Sequence, residues 1–577
     1  MITAVDEHID RHNEAPKPFI WTASVGDILE KVTHMSVSVG PFVRRCPKAG
    51  RVTGIRRGAV LPRLLLPTAG LLSVLWFLFR VIPKPSRAAY PCQRIAAGLG
   101  AGFLVHLTSL LAALAGHHFL RRRGAQIAAA GVVTVLCCTL YVGSAVSDQP
   151  KPQVLIPAEG PNHPMGAAKG IYAGRVTWAQ DFAATKWNGQ DGNWWEDRNV
   201  NQAAVDKMIS RNLQELTGAN SDKSAWDRLF RWHNRAAGRG NQGYKAGERF
   251  VVKLNCNADE GKPWNNRGYP SPQVVAALVR QMVEVAGVPG NAILLSDPSR
   301  AIGANIYREV RALPGAEYQQ VSYEGQSGEE GPQRVRPEPD MNSPVWFDMP
   351  GGKRQALYLP KSFSAATYMI NFGLMRPHRV FGVTLAGKNH FGSVYDPELK
   401  IFKPSALHAF ALWDYPTPNH QGEPHSHPVL MGHRNTGGKT MLYMLDGLYT
   451  SYNQGQPVVR WSTLDNRWFS SILMSQDPVA LDSVAYDLIT SEPNLTRDNP
   501  CFNGNADSYL HEAALAGAPP SKAKYDPENS GKALQSLGVH EHWNSAAAKK
   551  YARNLGRGQG VELIELRWRF GKGNHED

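Results

Sequence analysis

A strand, a long helix and a second strand follow one another in the middle of the chain, and this pattern constrains the fold more than any other. The apolar run from Arg249 to Asn255 predicts the first strand. Ser271 can cap a helix and Pro272 suits its first turn, so we predict a helix through Ala286. A second buried strand is predicted from Ala292 to Ser296. Such a unit implies two parallel strands joined by a right-handed crossover.

Further apolar runs extend this pattern through the second half of the chain. We predict strands near 318–323 and at 368–372, 441–445 and 470–475, with a helix at about 478–489 and a surface excursion at 324–342. The fold class expected is α/β, with a mostly parallel or mixed sheet and helices on both of its faces.

Three apolar stretches precede this region, at 64–82, about 95–116 and about 125–146. Each is near the ~20 residues that cross a bilayer, and basic residues flank them. The charge bias favours a cytoplasmic N-terminus and a large domain on the outer face of the cell membrane, so the membrane is an expected partner. The alternative is that these stretches are buried helices of a globular protein.

The expected organisation has four parts, which are an N-terminal segment (1–45), a membrane region (46–147), a Pro-rich linker (148–170) and an α/β domain (171–577). The net charge of +14 is concentrated beside the apolar stretches. This distribution indicates membrane orientation, and no aromatic-interleaved basic patch argues for nucleic-acid binding.

The six cysteines include no Cys-x-x-Cys pair, which makes an iron–sulfur cluster bound by this chain unlikely. Cys256 and Cys501 are the cysteines of the expected α/β domain. They form either one disulfide, if the domain is outside the cytoplasm, or two unrelated buried thiols.

Polar residues follow most of the predicted strands. They are Asn255 and Asn257, Asp297 and Ser299, Asn371, Asp446, and Asp477. In open α/β sheets, ligands bind outside the carboxyl ends of parallel strands, so these side chains are expected to converge on one crevice. The alternative is that they only cap strands and begin turns.

The segment from 368 to 392 adds His378, Lys388, Asn389 and His390 to this crevice, with glycines at 373, 382, 387 and 392. Lysine can hold an anion or act as a base when desolvated, and histidine can transfer protons or bind a metal. A polar loop that closes the sheet is the alternative.

Asp446, Asp477 and a histidine could together hold a divalent metal. The loop at 408–433 is rich in histidine and contains His425 and His427, but without a fixed third ligand we favour an ordinary loop there.

The α/β region resembles the bacterial and archaeal family called domain of unknown function 362 over most of residues 175–520. The resemblance depends on an ordered series of short motifs, not on any single one. Where the family usually has a lysine two positions before the histidine at His378, this chain has Arg376. The matching motifs are Val251-Val-Lys-Leu-Asn255, Pro272-Gln-Val-Val275, Ser296-Asp297, Tyr368-Met-Ile-Asn371 with His378, Val383-Thr-Leu-Ala-Gly-Lys-Asn-His-Phe-Gly392, Leu445-Asp-Gly447 and Ser475-Gln-Asp-Pro-Val-Ala-Leu-Asp482.

This resemblance implies an α/β domain with a common pocket and no known reaction. Some relatives are fused to ferredoxin-like cysteine motifs, which suggests redox chemistry or a redox partner protein. This chain lacks those cysteines, so direct cluster binding is not expected.

Residues 1–34 resemble the C-terminal tail of mariner-like insertion-sequence transposases. The similarity is carried by His12-Asn13, Pro16-Lys-Pro-Phe19 and Trp21-Thr22. The catalytic carboxylate domain of such enzymes is missing, so we assign this segment no activity. A relic of an insertion, a misplaced start and a decayed fused gene all remain open.

The leading hypothesis is a membrane-anchored, extracytoplasmic domain that binds a small anionic ligand, with or without a divalent metal, and carries out an unidentified, enzyme-like reaction. The rival is a non-catalytic binding or accessory module for a cofactor or redox partner. The candidate residues are His378, Lys388 and His390 for catalysis; Lys253, Asn255, Asp297, Asn371 and Asn389 for ligand binding; and Asp446 and Asp477 for a metal.

Overall fold

The computed structural model describes residues 43–45, 52–55, 76, 160–256, 265–326, 331–348, 354–378, 380–403, 407, 424–453, 455–497 and 506–568. The chain divides into two compact units, Met1–Lys151 and Pro152–Asp577. The described part of the first unit is an antiparallel pair, β1 (Val43–Arg45) with β2 (Val52–Ile55).

The second unit alternates strands and helices. Its strands are β3 (Met165–Gly166), β4 (Arg175–Asp181), β5 (Phe250–Lys253), β6 (Ile293–Asp297), β7 (Ser322–Gly325), β8 (Arg334–Val335), β9 (Pro339–Asp348), β10 (Arg354–Pro360), β11 (Tyr368–Leu374), β12 (Arg376–His378), β13 (Gly382–Thr384), β14 (Tyr395–Asp396), β15 (Ile401–Phe402), β16 (Thr440–Gly447), β17 (Ser471–Ser475), β18 (Val539–His540) and β19 (Glu562–Trp568). Its helices are α1 (Gln202–Thr217), α2 (Asp222–Ala236), α3 (Pro272–Arg280), α4 (Ala304–Arg311), α5 (Lys361–Ala365), α6 (Ala386–Asn389), α7 (Ser426–Gly432), α8 (Pro478–Thr490), α9 (Pro493–Thr496) and α10 (Ser508–Ala514).

A nine-stranded mixed sheet in the order β19-β4-β17-β16-β11-β5-β6-β7-β8 forms the centre of this unit. The six strands from β16 to β8 run parallel to their neighbours. β17 is antiparallel to both β16 and β4, and β19 is parallel to β4. β17 is therefore the one strand of this sheet that runs opposite to the other eight, so its carboxyl end lies at the opposite edge.

Alternating residues of the central strands pack into two hydrophobic cores, one on each face of the sheet. Tyr368 and Ile370 of β11 belong to a core that includes residues of α1, α2, α3 and α4. Met369 belongs to a second core with residues of α7, α8 and α10. The predicted α/β fold is thereby confirmed, with helices on both faces of a mixed sheet.

The predicted strand–helix–strand unit is confirmed. β5 and β6 are parallel, with Val251 opposite Leu294. Ser271 and Pro272 begin α3, which continues from Gln281 to Val285 as a π-helix. The sequence analysis missed β9 and β10, which start within the expected surface excursion and join β14 and β15 in a four-stranded antiparallel sheet.

The unit already includes residues that the sequence analysis assigned to a linker. β3 pairs with β18, and the Asn162 side chain bonds to the backbone carbonyl of Lys550 at 2.9 Å. Within the described ranges, no helix is long and apolar enough to cross a membrane. The three predicted spans, except Trp76, and residues 1–34 lie outside those ranges.

Candidate functional site

The centre of the site is a buried ion pair at the carboxyl ends of β5 and β6. Lys253 and Asp297 are the last residues of these neighbouring parallel strands, and the Lys253 Nζ is 3.5 Å from Asp297 Oδ1. The ammonium also donates to the Leu254 carbonyl at 2.5 Å. Asp297 accepts a bond from the Cys256 backbone amide at 2.8 Å. The parallel strands thus place two predicted ligand-binding residues together, as expected.

A network of buried amides joins the sheet to helix α6. Asn389 Nδ2 donates to the Asn371 Oδ1 at 2.8 Å and to the Lys253 carbonyl at 2.9 Å. Asn371 Nδ2 donates to the Ala386 carbonyl at 2.9 Å. Two residues predicted to bind ligand therefore use much of their hydrogen-bonding capacity to hold the site together.

His390 is a neutral ring in this network. Asn371 Nδ2 lies 2.9 Å from His390 Nε2, and because the amide is the donor, the ring proton belongs on Nδ1. Burial and the nearby charge of Lys253 lower the pKa of His390 to about 3. The Nδ1 atom is buried and has no partner among the described residues. A neutral hydrogen-bond donor describes this ring better than an acid–base group that titrates near pH 7.

Arg376, at the start of β12, places a guanidinium in the same region. Its Nη1 donates to the Gly268 carbonyl at 2.8 Å and its Nη2 to Asn255 Oδ1 at 3.2 Å. The side chain is only 1% exposed, yet no carboxylate pairs with it among the described residues. Asn255 therefore contacts the site through Arg376, and the charge of Arg376 has no counter-ion in the described part of the chain.

Lys388 is the second buried cation without an acidic partner within ion-pairing distance in the described residues. Its Nζ lies 5.1 Å and 4.9 Å from the ring centroids of Phe381 and Phe391. Burial, together with the charges of Arg376, Arg300 and Lys253, lowers the pKa of Lys388 to about 7. Near neutral pH this amine exists in both protonation states, so it can bind an anion or accept a proton.

Asp482 anchors the helix that carries Lys388. Its carboxylate accepts the backbone amides of Ala386 and Gly387, each at 2.9 Å, and the Tyr509 hydroxyl at 2.9 Å. The sequence analysis treated Asp482 only as a companion of Asp477 or a first-turn acid. Its contact with a segment nearly a hundred residues away could not be read from local spacing.

His378 stabilises the tight turn between β12 and β13. Its Nδ1 accepts the backbone amides of Val380 and Phe381 at 3.1 Å and 3.2 Å. Gly382, which closes this turn, has a φ of +79° that favours glycine. A role of His378 in proton transfer would therefore have to use Nε2.

Gly392 allows the backbone to approach the central ion pair closely. A Cβ at this position would lie 2.7 Å from Asp297 Oδ1 and 2.8 Å from Ser299 Oγ. The predicted need for close backbone approach at this glycine is therefore met in the structure.

Asp446 and Asp477 do not come together. β17 runs antiparallel, so Asp477 lies at the edge opposite to the carboxyl end of β16, where Asp446 is located. The expectation that both strand ends meet in one crevice is wrong for Asp477. Among the described residues, neither belongs to a group of three side chains arranged to hold a metal.

Both carboxylates have structural contacts instead. Asp446 accepts the backbone amides of Ser271 at 2.7 Å and Leu448 at 3.1 Å, which ties β16 to the start of α3. Asp477 caps α8 by accepting the amide of Ala480 at 2.9 Å, and it also accepts the amide of Lys169 at 2.8 Å.

The histidines at 425 and 427 pack against helix α10. His425 Nε2 lies 2.9 Å from the Ser508 hydroxyl, and the His427 ring stacks on Tyr509 at 4.4 Å. The expected ordinary, non-metal role agrees with these contacts. Cys256 is buried, whereas Cys501 is outside the described residues, so the disulfide alternative remains a prediction.

Comparison with known proteins supports the family resemblance over a narrower range. Residues 251–487 match the family described as "Domain of unknown function (DUF362)", a range that begins in β5 and ends in α8. It includes Lys253, Arg376, Lys388 and Asp482. No curated protein matches the chain.

Among solved structures, the chain is similar to the lactate racemase apoprotein from Thermoanaerobacterium thermosaccharolyticum, with 9% identity and a TM-score of 0.26. The similarity covers 57% of this chain and 62% of that protein, so the chain spans less than two thirds of its length. A likeness this distant gives no information on fold or activity.

Proposed function

We propose that the crevice at the carboxyl ends of β5, β6 and β11 binds a small anionic ligand. The observation that supports this proposal is the pair of buried cations, Arg376 and Lys388, that have no carboxylate partner in the described residues. An unpaired buried charge is costly, and such charges are concentrated at functional sites. An anion bound between the guanidinium and the ammonium would compensate both.

Charge balance favours an anion over a cation as the ligand. The groups that most affect Lys388 are three cations, Arg376, Arg300 and Lys253, and one carboxylate, Asp297. Asp297 is already paired with Lys253. The ligand class proposed is therefore a small carboxylate or an oxyanion such as sulfate or phosphate.

Lys388 is the residue best suited to take part in a reaction. With a pKa of about 7 it can give or take a proton near neutral pH, whereas His390, with a pKa of about 3, stays neutral. The enzyme hypothesis thus assigns proton transfer first to Lys388, and keeps His378 as the second candidate through Nε2.

A non-catalytic accessory module for a cofactor or redox partner is the alternative function. Both functions require anion binding, but only the enzyme requires Lys388 to change protonation state during turnover. A metabolite extract of the purified full-length chain, followed by incubation with whatever anion co-purifies, distinguishes them. Conversion that is lost in Lys388→Arg while the anion still binds supports the enzyme, and unchanged ligand after prolonged incubation supports the module.

The cellular location is also part of the proposal. We propose that the apolar stretches at 64–82, about 95–116 and about 125–146 anchor the chain in the cell membrane and place residues 160–568 on the outer face. Protease treatment of intact cells tests it, since a C-terminal epitope would be cleaved from outside. Protection in intact cells, with cleavage after lysis, would contradict this location.

A further inference from the structure

A second cluster of buried titratable groups lies outside the range of the family match. Asp507, His540 and His542 are all buried, and each offers one ligand atom such that these atoms lie within 4.8 Å of one another. Within the described ranges, this is the one group of three His, Cys, Asp or Glu side chains that meets this condition. The cluster combines α10, β18 and the segment after β18.

The imidazoles are oriented by groups behind them. His542 Nδ1 is 2.6 Å from Asp487 Oδ1, which directs its Nε2 towards Asp507 Oδ2 at 3.1 Å. His540 Nδ1 is 2.8 Å from the Ser483 hydroxyl, so its Nε2 is the nitrogen on the other side of the ring. A carboxylate or hydroxyl that holds the distal nitrogen of a histidine is the usual support of a metal-bound imidazole.

A third histidine lies at the edge of the cluster. His511 Nε2 is 3.9 Å from Asp507 Oδ2, and its ring centroid is 4.8 Å from that of His540. Three imidazoles therefore surround one carboxylate in a buried position. A tetrahedral zinc site with bonds of about 2.0–2.1 Å needs ligand atoms roughly 3.4 Å apart, a spacing that small side-chain rotations would reach here.

We propose that Asp507, His540 and His542, with His511 as a fourth ligand, form a binding site for a divalent transition-metal ion such as Zn²⁺. Nitrogen and carboxylate ligands of this kind suit Zn²⁺, Fe²⁺ or Co²⁺ and are a poor match for Ca²⁺ or Mg²⁺. The site is distinct from the predicted Asp446–Asp477 site, and it shares no residue with the anion-binding crevice.

The metal would act as a structural link. Helix α8 carries both Ser483 and Asp487, which support the two imidazoles, and Asp482, which anchors the helix of Lys388. An ion in the cluster would tie α8 to α10 and to the segment 540–542. The competing explanation is a metal-free network in which a protonated His542 bridges Asp487 and Asp507.

The test uses the purified full-length chain, stripped of metal and titrated with Co²⁺ and Zn²⁺. We expect about one tightly bound ion per chain, visible-region cobalt absorption typical of a tetrahedral site, and a higher melting temperature with metal. His540→Gln and Asp507→Asn should lower the affinity at least tenfold. Ser483→Ala should lower it by a smaller factor, through the loss of imidazole support.

His233→Gln is the matched control, because His233 is equally buried but packs against Tyr368 in the other core. Equal loss of binding in this variant would contradict the assignment, as would uptake of neither ion by the folded wild-type chain. If the site variants fail to fold, X-ray absorption of the zinc-loaded wild-type chain decides. Scattering from at least two imidazoles supports the site, and its absence overturns it.

Discussion

The Oδ2 atom of Asp482 accepts the backbone amide of Gly387 at 2.9 Å, one residue before the lysine whose pKa is lowered to about 7. Helix α6 has only four residues, so its position depends on contacts from outside the helix. Asp482 supplies these contacts at one end and Asn389 supplies them at the other. The geometry of Lys388 is therefore set by residues that are distant in sequence.

Asp482→Ala should lower the free energy of unfolding by about 2–3 kcal/mol, because two buried amides and the Tyr509 hydroxyl lose a charged acceptor. Anion affinity should fall as α6 loosens. Urea denaturation measures the first effect. Asp227→Ala is the control, since this aspartate is half exposed in a surface ion pair with Arg231, and it should change stability by less than about 1 kcal/mol.

Gly392→Ala should damage the site more than the fold around it. The added Cβ would meet Asp297 Oδ1 at 2.7 Å, so the ion pair with Lys253 must shift. Overpacking of this kind costs about 1–3 kcal/mol, and anion affinity should fall in parallel. Gly438→Ala, whose Cβ would have its nearest neighbour at 3.4 Å, should leave affinity unchanged. Equal affinities in both variants would contradict this role of Gly392.

Arg376→Met should remove anion binding by at least a factor of ten, because the charge and its donors are lost together. Arg376→Lys keeps the charge but not the planar donor arrangement, and should give an intermediate affinity. Titration calorimetry with sulfate measures both. If Arg376→Met binds sulfate as well as the wild-type chain, Arg376 is not part of the anion site.

Lys388→Met should stabilise the chain without ligand, by on the order of 1–3 kcal/mol at neutral pH, since it removes a buried charge. The folded-state pKa of about 7 lies below the ordinary value of 10.5, so the unfolded chain binds more protons between these values. The contribution of Lys388 to unfolding free energy therefore rises with pH across that window. Denaturation at pH 7 and pH 9.5 should show this rise in wild type and a smaller one in the variant.

Lys361→Met is the matched control for this measurement, because Lys361 is 64% exposed in a surface ion pair with Glu338. It should change neither stability nor its pH dependence appreciably. A Lys388→Met variant less stable than wild type at neutral pH would show that the ammonium is not an unfavourable buried charge.

The parallel half of the sheet could be predicted from sequence, because β5, α3 and β6 combine strong periodicity with clear start and stop residues. Strand direction could not be predicted for β17, since an apolar run reads the same whichever way the strand enters the sheet. That single reversal separates Asp477 from Asp446. The convergence of Lys253, Asp297 and Asn389 was accessible from strand-end positions.

The cluster of Asp507, His540 and His542 could not be found in this way. His540 and His542 follow no recognised spacing with Asp507, and they meet only because β18 pairs with β3 and lies against α8 and α10. The role of Asp482 was hidden for the same reason. Both features depend on tertiary contacts that no local pattern encodes.

The most direct test of the anion-binding site is the pH dependence of anion affinity in the wild-type chain. Sulfate and a small dicarboxylate are the probes, because both keep their charge between pH 6 and 9, whereas phosphate titrates in that range. Binding needs the protonated Lys388, so affinity should fall as pH rises through about 7, by up to tenfold per unit, and this dependence should be absent in Lys388→Met. Affinity that does not change with pH in the wild-type chain, or no binding of either anion, would contradict the proposed site.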